Sequence, residues 1–240
     1  MRAIRFPLSV MALSAAIMIG WASNSIHAQA DQKKATVSAG DTISLPAAKL
    51  SGSKSVEEAI SQRRSVREIS DAVLELGKLS QLLWAAQGIT DKKNGFRAAP
   101  SAGAKYPLEI YVFAGNIENL PAGLYRYLPD GHRLLTIANY DCRSALARSI
   151  YDYESILTPP LVLVIGADFS RTESKYGTAR SPRYVYIEAG ACAENIALQA
   201  QTLYLSTVLM GAFDDNFVFK ACRMEKEQPV LIMPVGYQQK

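Results

Sequence analysis

The stretch that most constrains the fold is Pro100-Ser101-Ala102-Gly103-Ala104-Lys105-Tyr106-Pro107-Leu108-Glu109. Its small residues allow the backbone to approach a flat ligand closely. Pro100 and Pro107 restrict the run at both ends. Residues 107–113 are rich in Ile, Tyr, Val and Phe, which predicts a strand directly after the small residues. The pattern indicates a loop that lines a ligand; the alternative is an ordinary loop rich in small residues.

A second stretch, Arg63-Arg64-Ser65-Val66-Arg67, places three guanidinium groups and a hydroxyl within five residues. Ser55 and Glu58 have the spacing of a capping box, which predicts a short helix ending near Arg64. The cluster at its end suits a phosphate, because arginine binds phosphate through paired hydrogen bonds. The alternative is a solvated basic face. Apolar helical patterns flank the cluster, so we expect it to border the fold.

The remaining pattern mixes helices and strands without strict alternation, which favours an α+β fold over a doubly wound sheet. We expect helices over 70–88, 141–151 and 184–205, strands over 161–166, 207–210 and 230–235, a hairpin of 123–128 with 132–137, and loops over 91–95 and 170–182. Leu209 to Asp215 is expected to run from a strand into a turn of small residues.

Composition narrows the function classes. The chain has 240 residues and a formal charge of +4, which predicts one domain or at most two and no dense basic patch for nucleic acid. Two His and three Cys (Cys142, Cys192 and Cys222) show no zinc-ligand spacing, so no metal site is predicted. The odd cysteine count leaves at least one thiol free or paired between chains. A nucleophile triad would need His132, directly after a turn, and is disfavoured.

The N-terminus has the three parts of a secretory signal: Arg2 and Arg5, an apolar run over 7–22, and His27-Ala28-Gln29-Ala30. We expect residues 1–30 to be a signal peptide cleaved after Ala30; an uncleaved membrane anchor is the alternative. Residues 31–54 would then form an exposed arm and residues 55–240 the folded domain. The expected location is periplasmic or secreted, with no stable membrane insertion after cleavage.

These stretches together resemble the nitroreductase family of flavoproteins, and most of all its SagB-type, azoline-dehydrogenase-like branch. The resemblance spans about Ser55 to Tyr237. It rests on Arg-Arg-Ser-x-Arg at 63–67, the stretch at 100–109, Tyr184-x-x-x-Glu188-x-Gly190 with Asn195, Gly-Ala-Phe-Asp-Asp at 211–215 and Pro-Val-Gly-Tyr at 234–237, in the family's order. The sequence departs from the branch at Lys105, Ala191 and Glu194, where Leu, His and Gln are common.

The resemblance implies a nitroreductase-like fold, with a mixed, mainly antiparallel sheet flanked by helices. It also implies an intertwined homodimer that binds FMN at the subunit interface. By matching position, the FMN phosphate and ribityl chain would be held by Arg63, Arg64, Ser65 and Arg67. The isoalloxazine would be approached from the partner subunit by Pro100, Ser101, Ala102 and Gly103, and near its N5 edge by Gly211 and Ala212.

Lys105 and Tyr106 are the candidate catalytic residues. An ammonium group could stabilise an anionic flavin and a phenol could exchange a proton with substrate. The alternative is that Lys105 points to solvent and Tyr106 packs under the loop.

The resemblance therefore implies an FMN-dependent oxidoreductase that transfers hydride between flavin and a small nitro, quinone or enone compound. One alternative is a SagB-type dehydrogenase that oxidises an azoline or other peptide-derived substrate. The other is a non-catalytic flavin-binding module.

Overall fold

The computed structural model describes residues 37–239; the predicted signal peptide and residues 31–36 of the expected arm lie outside this range. The elements follow in the chain order β1 (Thr42–Ser44), α1 (Val56–Gln62), α2 (Leu76–Gln87), β2 (Ile89–Asp91), β3 (Phe96–Arg97), β4 (Leu108–Ala114), β5 (Gly123–Leu128), β6 (Arg133–Ala138), α3 (Arg143–Ala147), α4 (Glu154–Leu157), β7 (Leu161–Ala167), α5 (Phe169–Tyr176), α6 (Ser181–Thr202), β8 (Ser206–Thr207), α7 (Asp215–Cys222) and β9 (Gln228–Gly236). None of the helices over 37–239 has the length and apolar character to span a membrane.

A sheet of seven strands in the order β1-β6-β5-β4-β7-β9-β8 organises the fold. All its pairings are antiparallel. The central strand β4 pairs with β7 along its whole length, from Leu108 opposite Ala167 to Ala114 opposite Leu161. Alternate residues of β4 enter two apolar cores, so the sheet is covered on both faces. The predicted α+β class is confirmed.

Helix α6 lies across one face of this sheet. Its inward side carries Val185, Cys192 and Ile196, each without exposed surface, and it packs on α2. Pro182 in the first turn suits a helix start, because its missing N–H would have had no partner there. The helix predicted over 184–205 is therefore confirmed, with its start three residues earlier and its end at Thr202.

The capping box at the start of α1 is present. The Glu58 N–H donates to Ser55 Oγ, and the Ser55 N–H donates back to the Glu58 carboxylate. The predicted cap at Ser70 is wrong, because its hydroxyl and its N–H both donate to the Tyr237 carbonyl and the chain stays extended. Helix α2 begins only at Leu76 and ends at Gln87, with Gly88 as its C-cap, so the predicted stop at Gly88 is confirmed.

Two further predictions are corrected. The loop predicted over 170–182 contains helix α5, whose first turn is capped by Asp168 accepting from the Ser170 N–H. The helix predicted from Asp141 ends at Ala147. Helix α7 was not predicted; Asp214 caps it by accepting from the Phe217 N–H. The sequence signal in both missed helices was a single Asp before a polar or mixed first turn, which also occurs in ordinary turns.

Part of the predicted arm joins the sheet. Thr42–Ser44 forms β1 and pairs with β6. The next residues are tied to α2, since Ser80 Oγ donates to the Pro46 carbonyl and lies 2.7 Å from His132 Nε2. Ser80 is buried and is therefore no accessible nucleophile. The hydrogen bond from Ser80 to Pro46, together with the Leu45 N–H donating to the His132 carbonyl, fastens the arm to the domain.

Candidate functional site

The basic segment 63–67 lies beside β8, which was predicted over 207–210 but covers only Ser206–Thr207, and the chain continues from it without regular structure to Gly211. Ser65 forms a parallel bridge with Thr207, and the Val66 N–H donates to the Thr207 carbonyl over 3.0 Å. Farther along, the Met210 N–H donates to the Ile232 carbonyl, which fixes the chain entering Gly211 and Ala212. The fold thus places two of the predicted flavin-contacting stretches on neighbouring backbone segments.

Several side chains of this segment have hydrogen-bond donors that are available to a ligand. Arg63 is only loosely paired with Glu194, at 3.6 Å, and Arg64 donates to the carbonyls of Ser61 and Arg63. Ser65 and Arg67 are exposed, and within residues 37–239 their side chains make no hydrogen bond or ion pair. The segment therefore offers hydroxyl and guanidinium donors to an anion, as a phosphate requires.

The loop 100–106 has an unusual backbone. Three of its residues have positive φ: Gly103 at 61°, Ala104 at 52° and Tyr106 at 47°. A positive φ is rare for an aromatic residue and costs free energy, so it persists only where the surroundings enforce it. Here the Tyr106 N–H donates to Ser101 Oγ over 2.8 Å, which closes the loop on itself.

Two arginines hold Tyr106 from outside the loop. The Arg97 guanidinium lies 4.4 Å from the centre of the Tyr106 ring. Arg171 Nη1 donates to the Tyr106 carbonyl over 2.8 Å, while its Nη2 donates to Glu109 over 2.6 Å. Tyr106 is therefore fixed in position. Lys105 is half-buried, and its ammonium makes no hydrogen bond or ion pair within the described chain.

Glu188 of α6 lies near this loop, with only 2% of its surface exposed. Its Oε1 has no hydrogen-bond partner in the described chain. Burial raises the pKa of Glu188 to about 7, although Ser101, Arg97 and Gln87 act in the opposite direction. The carboxyl group can therefore hold or release a proton near neutral pH. The sequence motif included Glu188, but neither its burial nor its role could be read from it.

In one chain the two predicted parts of the site are not bonded to each other. Within residues 37–239, no hydrogen bond or ion pair joins the segment 63–67 to the loop 100–106. The predicted flavin-contacting residues also line neither of two cavities in the described chain, of about 380 and 350 Å³. They lie at the surface, where another molecule can reach them.

Two glycines support that accessibility. A methyl group added at Gly211, or at Gly190 on the exposed side of α6, would meet no atom within 4 Å. Packing within the chain therefore does not require glycine at either position. Tyr186 and Ile187, beside Gly190, are 58% and 61% exposed.

Comparison with known sequences decides the family. Residues 60–237 match the sequence profile described as the Nitroreductase family. The chain belongs to the nitroreductase family. It is accordingly an oxidoreductase, in a family whose members typically bind flavin and act on small substrates.

Individual proteins similar to this nitroreductase-family chain support the same assignment. It is 41% identical over 197 residues to the candidate nitroreductase MJ1384 of Methanocaldococcus jannaschii, covering 82% of this chain and 98% of that protein. It is 30% identical over 171 residues to the microcin B17-processing protein McbC of Escherichia coli, covering 68% and 62% of the two chains. A solved nitroreductase-type structure from Ralstonia eutropha superposes with a TM-score of 0.70 at 28% identity, covering 85% and 93%.

The three cysteines of this nitroreductase-family chain are separate, buried thiols. Burial raises the pKa of Cys192 to about 12 and raises that of Cys142. Thiols of high pKa react slowly, because the thiolate is the nucleophile. They are core residues.

Proposed function

We propose that this chain is an FMN-dependent oxidoreductase that transfers hydride between bound flavin and a small organic substrate such as a nitro, quinone or enone compound. The observation that carries the proposal is the set of free donors on Ser65, Arg63 and Arg67, held beside the strand that leads to Gly211. This donor set fits a phosphate group. The open space at Gly211 fits close approach of a flat ring.

The flavin site is completed by a second copy of the chain. The exposed side of α6, with Tyr186, Ile187 and Gly190, is the proposed contact face. Glycine in a helix interior costs roughly 0.5–1 kcal/mol relative to alanine. Because no intrachain neighbour needs Gly190, close packing against a partner helix accounts for it. The loop 100–103 of one protomer would then reach the segment 63–67 of the other.

When bound, FMN supplies the hydride-transfer chemistry. The chain's own residues handle the proton and the charge. Arg97 and Arg171 orient Tyr106, whose phenol exchanges a proton with substrate. Lys105 places a positive charge at the same loop, where it would stabilise negative charge on the bound ring. Glu188 of α6 lies close to Ser101 of the loop, where its carboxyl group can hold a proton near neutral pH.

The alternative substrate class is peptide-derived. Two observations favour it: the similarity to the microcin B17-processing protein McbC, and the adjacent Lys105 and Tyr106, which suit oxidation of an azoline. Oxidation of this kind needs a group that accepts the second proton. The held Tyr106 is in a position for that role. A flavin-binding module without turnover remains the third possibility, favoured by the departures at Ala191 and Glu194.

A spectroscopic experiment tests the proposal. Protein purified and reconstituted with micromolar FMN should show oxidised-flavin absorbance that is lost in Arg63→Ala with Arg67→Ala. The control is Arg148→Ala, at an exposed arginine outside the proposed site. Bleaching with dithionite and recovery with quinone, nitro or enone acceptors would separate an enzyme from an inert module. Absence of retained flavin in the wild type would refute the proposal.

Export is proposed as well, from the predicted signal over residues 1–30. Nicotinamide donors are scarce outside the cytoplasm, so the physiological electron donor would be another compound, or the reaction would run as substrate oxidation. Intact-mass measurement of protein from the producing cell's envelope should give a chain starting at Asp31. A chain starting at Met1 in the cytoplasm would contradict it.

A further inference from the structure

The central strands β4 and β5 separate at one end. Their pairing runs from Ala114 opposite Gly123 to Tyr111 opposite Arg126 and then stops. Residues 108–110 of β4 still pair with β7, and residues 127–128 of β5 still pair with β6. Between the separated ends lies a cavity of about 380 Å³. A gap in the middle of a sheet leaves backbone groups of both strands without strand partners.

The side chains lining this gap are mostly basic. Four arginines (Arg97, Arg126, Arg133 and Arg171) line it together with two acids, Glu109 and Asp130. Glu109 is already occupied by its 2.6 Å ion pair with Arg171. Asp130 is exposed and forms no ion pair within residues 37–239. Arg171 is paired with Asp168 as well, at 3.4 Å, so the surplus of positive charge in the cavity comes from the other three arginines.

Arg126 and Arg133 are the least compensated pair. Their positions on β5 and β6 share one face of the sheet, because Arg126 is opposite Leu135 and Arg133 is opposite Leu128. The buried Nε of each has no hydrogen-bond partner in the described chain. The closest compensation for Arg126 is longer-range, from Glu227, whose carboxylate accepts from the N–H groups of Glu225 and Lys226. Both side chains are half-buried, and like charges on neighbouring strands repel each other, so an anion between them would relieve that repulsion and accept from the buried Nε groups.

Gln87 adds a further donor on the other side of the gap. It is 1% exposed, its Oε1 accepts from Arg97 Nη1, and its Nε2 has no hydrogen bond of ordinary geometry. A buried donor without a hydrogen-bond partner lowers the stability of the fold. Such donors are uncommon in folded proteins unless a ligand or a water molecule satisfies them. A ligand with several acceptor oxygens would satisfy these donors.

We propose that the cavity between β4 and β5 binds a small oxyanion, a carboxylate- or phosphate-bearing molecule, held by Arg126 and Arg133. It lies outside the residues assigned to FMN. Arg97 and Arg171 also contact Tyr106, so the bound oxyanion is linked through two guanidinium groups to the residue proposed to move a proton.

Calorimetric titration tests this site directly. The protein is saturated with FMN at constant ionic strength in chloride and titrated separately with inorganic phosphate and with succinate. We expect saturable binding of at least one, and Arg126→Gln with Arg133→Gln should raise Kd by at least about tenfold, because two charge-assisted hydrogen bonds are lost. The control pair Arg148→Gln with Arg180→Gln, at exposed positions outside the cavity, should leave Kd unchanged.

The two titrations distinguish the kinds of anion that the cavity could bind. Binding of phosphate alone assigns a phosphate group, binding of succinate alone a carboxylate, and binding of both a general oxyanion site. The same titration on Arg63→Gln with Arg67→Gln, without FMN, should keep the anion affinity even if flavin binding fails. If the cavity pair does not fold, Arg133→Gln alone should still weaken binding. No saturable binding up to about 10 mM, or equal binding in the cavity variants, overturns the proposal.

Discussion

The protein has two groups of arginines that differ in how they are built. The segment 63–67 is contiguous in sequence, lies at the surface and keeps its donors free because the chain around it is exposed. The β4–β5 cavity collects Arg97, Arg126, Arg133 and Arg171 from four separate elements and keeps some donors free although they are buried. Exposed donors cost little while they wait for a ligand, whereas buried ones lower stability until a ligand arrives.

Helix α6 connects the two regions. Glu194 faces Arg63 at 3.6 Å, while Glu188, about two turns earlier, interacts with Arg97. The exposed acid can leave its arginine at little cost, because surface ion pairs contribute about 0–1 kcal/mol. The buried acid cannot move away, so its protonation changes instead. One helix therefore carries an exchangeable contact and a fixed one.

The largest expected effect separates the two arginine groups by flavin affinity. Arg63→Gln with Arg67→Gln should weaken FMN binding by about 100-fold or more, because two charge-assisted contacts to phosphate are removed. Arg126→Gln with Arg133→Gln should leave FMN affinity within about twofold. Fluorescence titration of FMN measures both. Equal losses in the two double variants would show that the groups form one site.

A second test uses the buried acid. The folded pKa of Glu188 is about 7 and its ordinary value is 4.5, so the folded state binds the proton more tightly than the unfolded state. The free energy of unfolding should therefore fall as pH rises from about 4.5 to 7.5, by up to about 3 kcal/mol. Glu188→Gln should remove that part of the slope. Urea unfolding at several pH values measures the difference, and unchanged slopes in the variant would contradict the assignment.

A third test concerns the open space beside Gly211 that is proposed for the flavin ring. Gly211→Val should weaken FMN binding by roughly tenfold, because a branched side chain occupies the room proposed for the flavin. Thermal stability should change little, since an added methyl meets no atom within 4 Å. Gly52→Val, where an added methyl also meets nothing, is the matched control outside the site. A loss of stability in place of affinity would indicate that Gly211 serves the fold.

The smallest effect is expected at Glu194. Its ion pair with Arg63 is long and half exposed. Glu194→Gln should free Arg63 and tighten FMN binding by about threefold or less, in keeping with the weakness of surface pairs. The gain should shrink as salt is added. Weaker binding in this variant would mean that Glu194 itself touches the flavin or orients Arg63 for it.

Contiguous features could be predicted from the sequence, and features assembled from distant residues could not. The sequence predicted the capping box at Ser55, the strand after Pro107 and a long helix over 184–205, because each signal lies within one short stretch of the chain. The Arg63–Arg67 cluster and the loop 100–106 were visible for the same reason. The β4–β5 cavity was not, because it depends on where two strands stop pairing.

Local sequence signals gave wrong predictions where contacts with distant parts of the chain determine the local structure. Ser70 has the chemistry of a helix cap, but its N–H is engaged by Tyr237, 167 residues away. Helix α5 was missed because its residues are largely polar, and its position depends on Arg171 binding Glu109 and Tyr106. The role of Glu188 emerged only from its burial against Gln87 and Ser101.

A crystal structure of the protein with FMN bound, grown in phosphate-free buffer, tests the central claim most directly. The account predicts the FMN phosphate within hydrogen-bonding distance of Arg63 and Arg67, with the ring beside Gly211 and the loop 100–103 supplied by a second copy. It also predicts that the β4–β5 cavity contains no flavin. Flavin density between Arg126 and Arg133, with the segment 63–67 facing solvent, would contradict it.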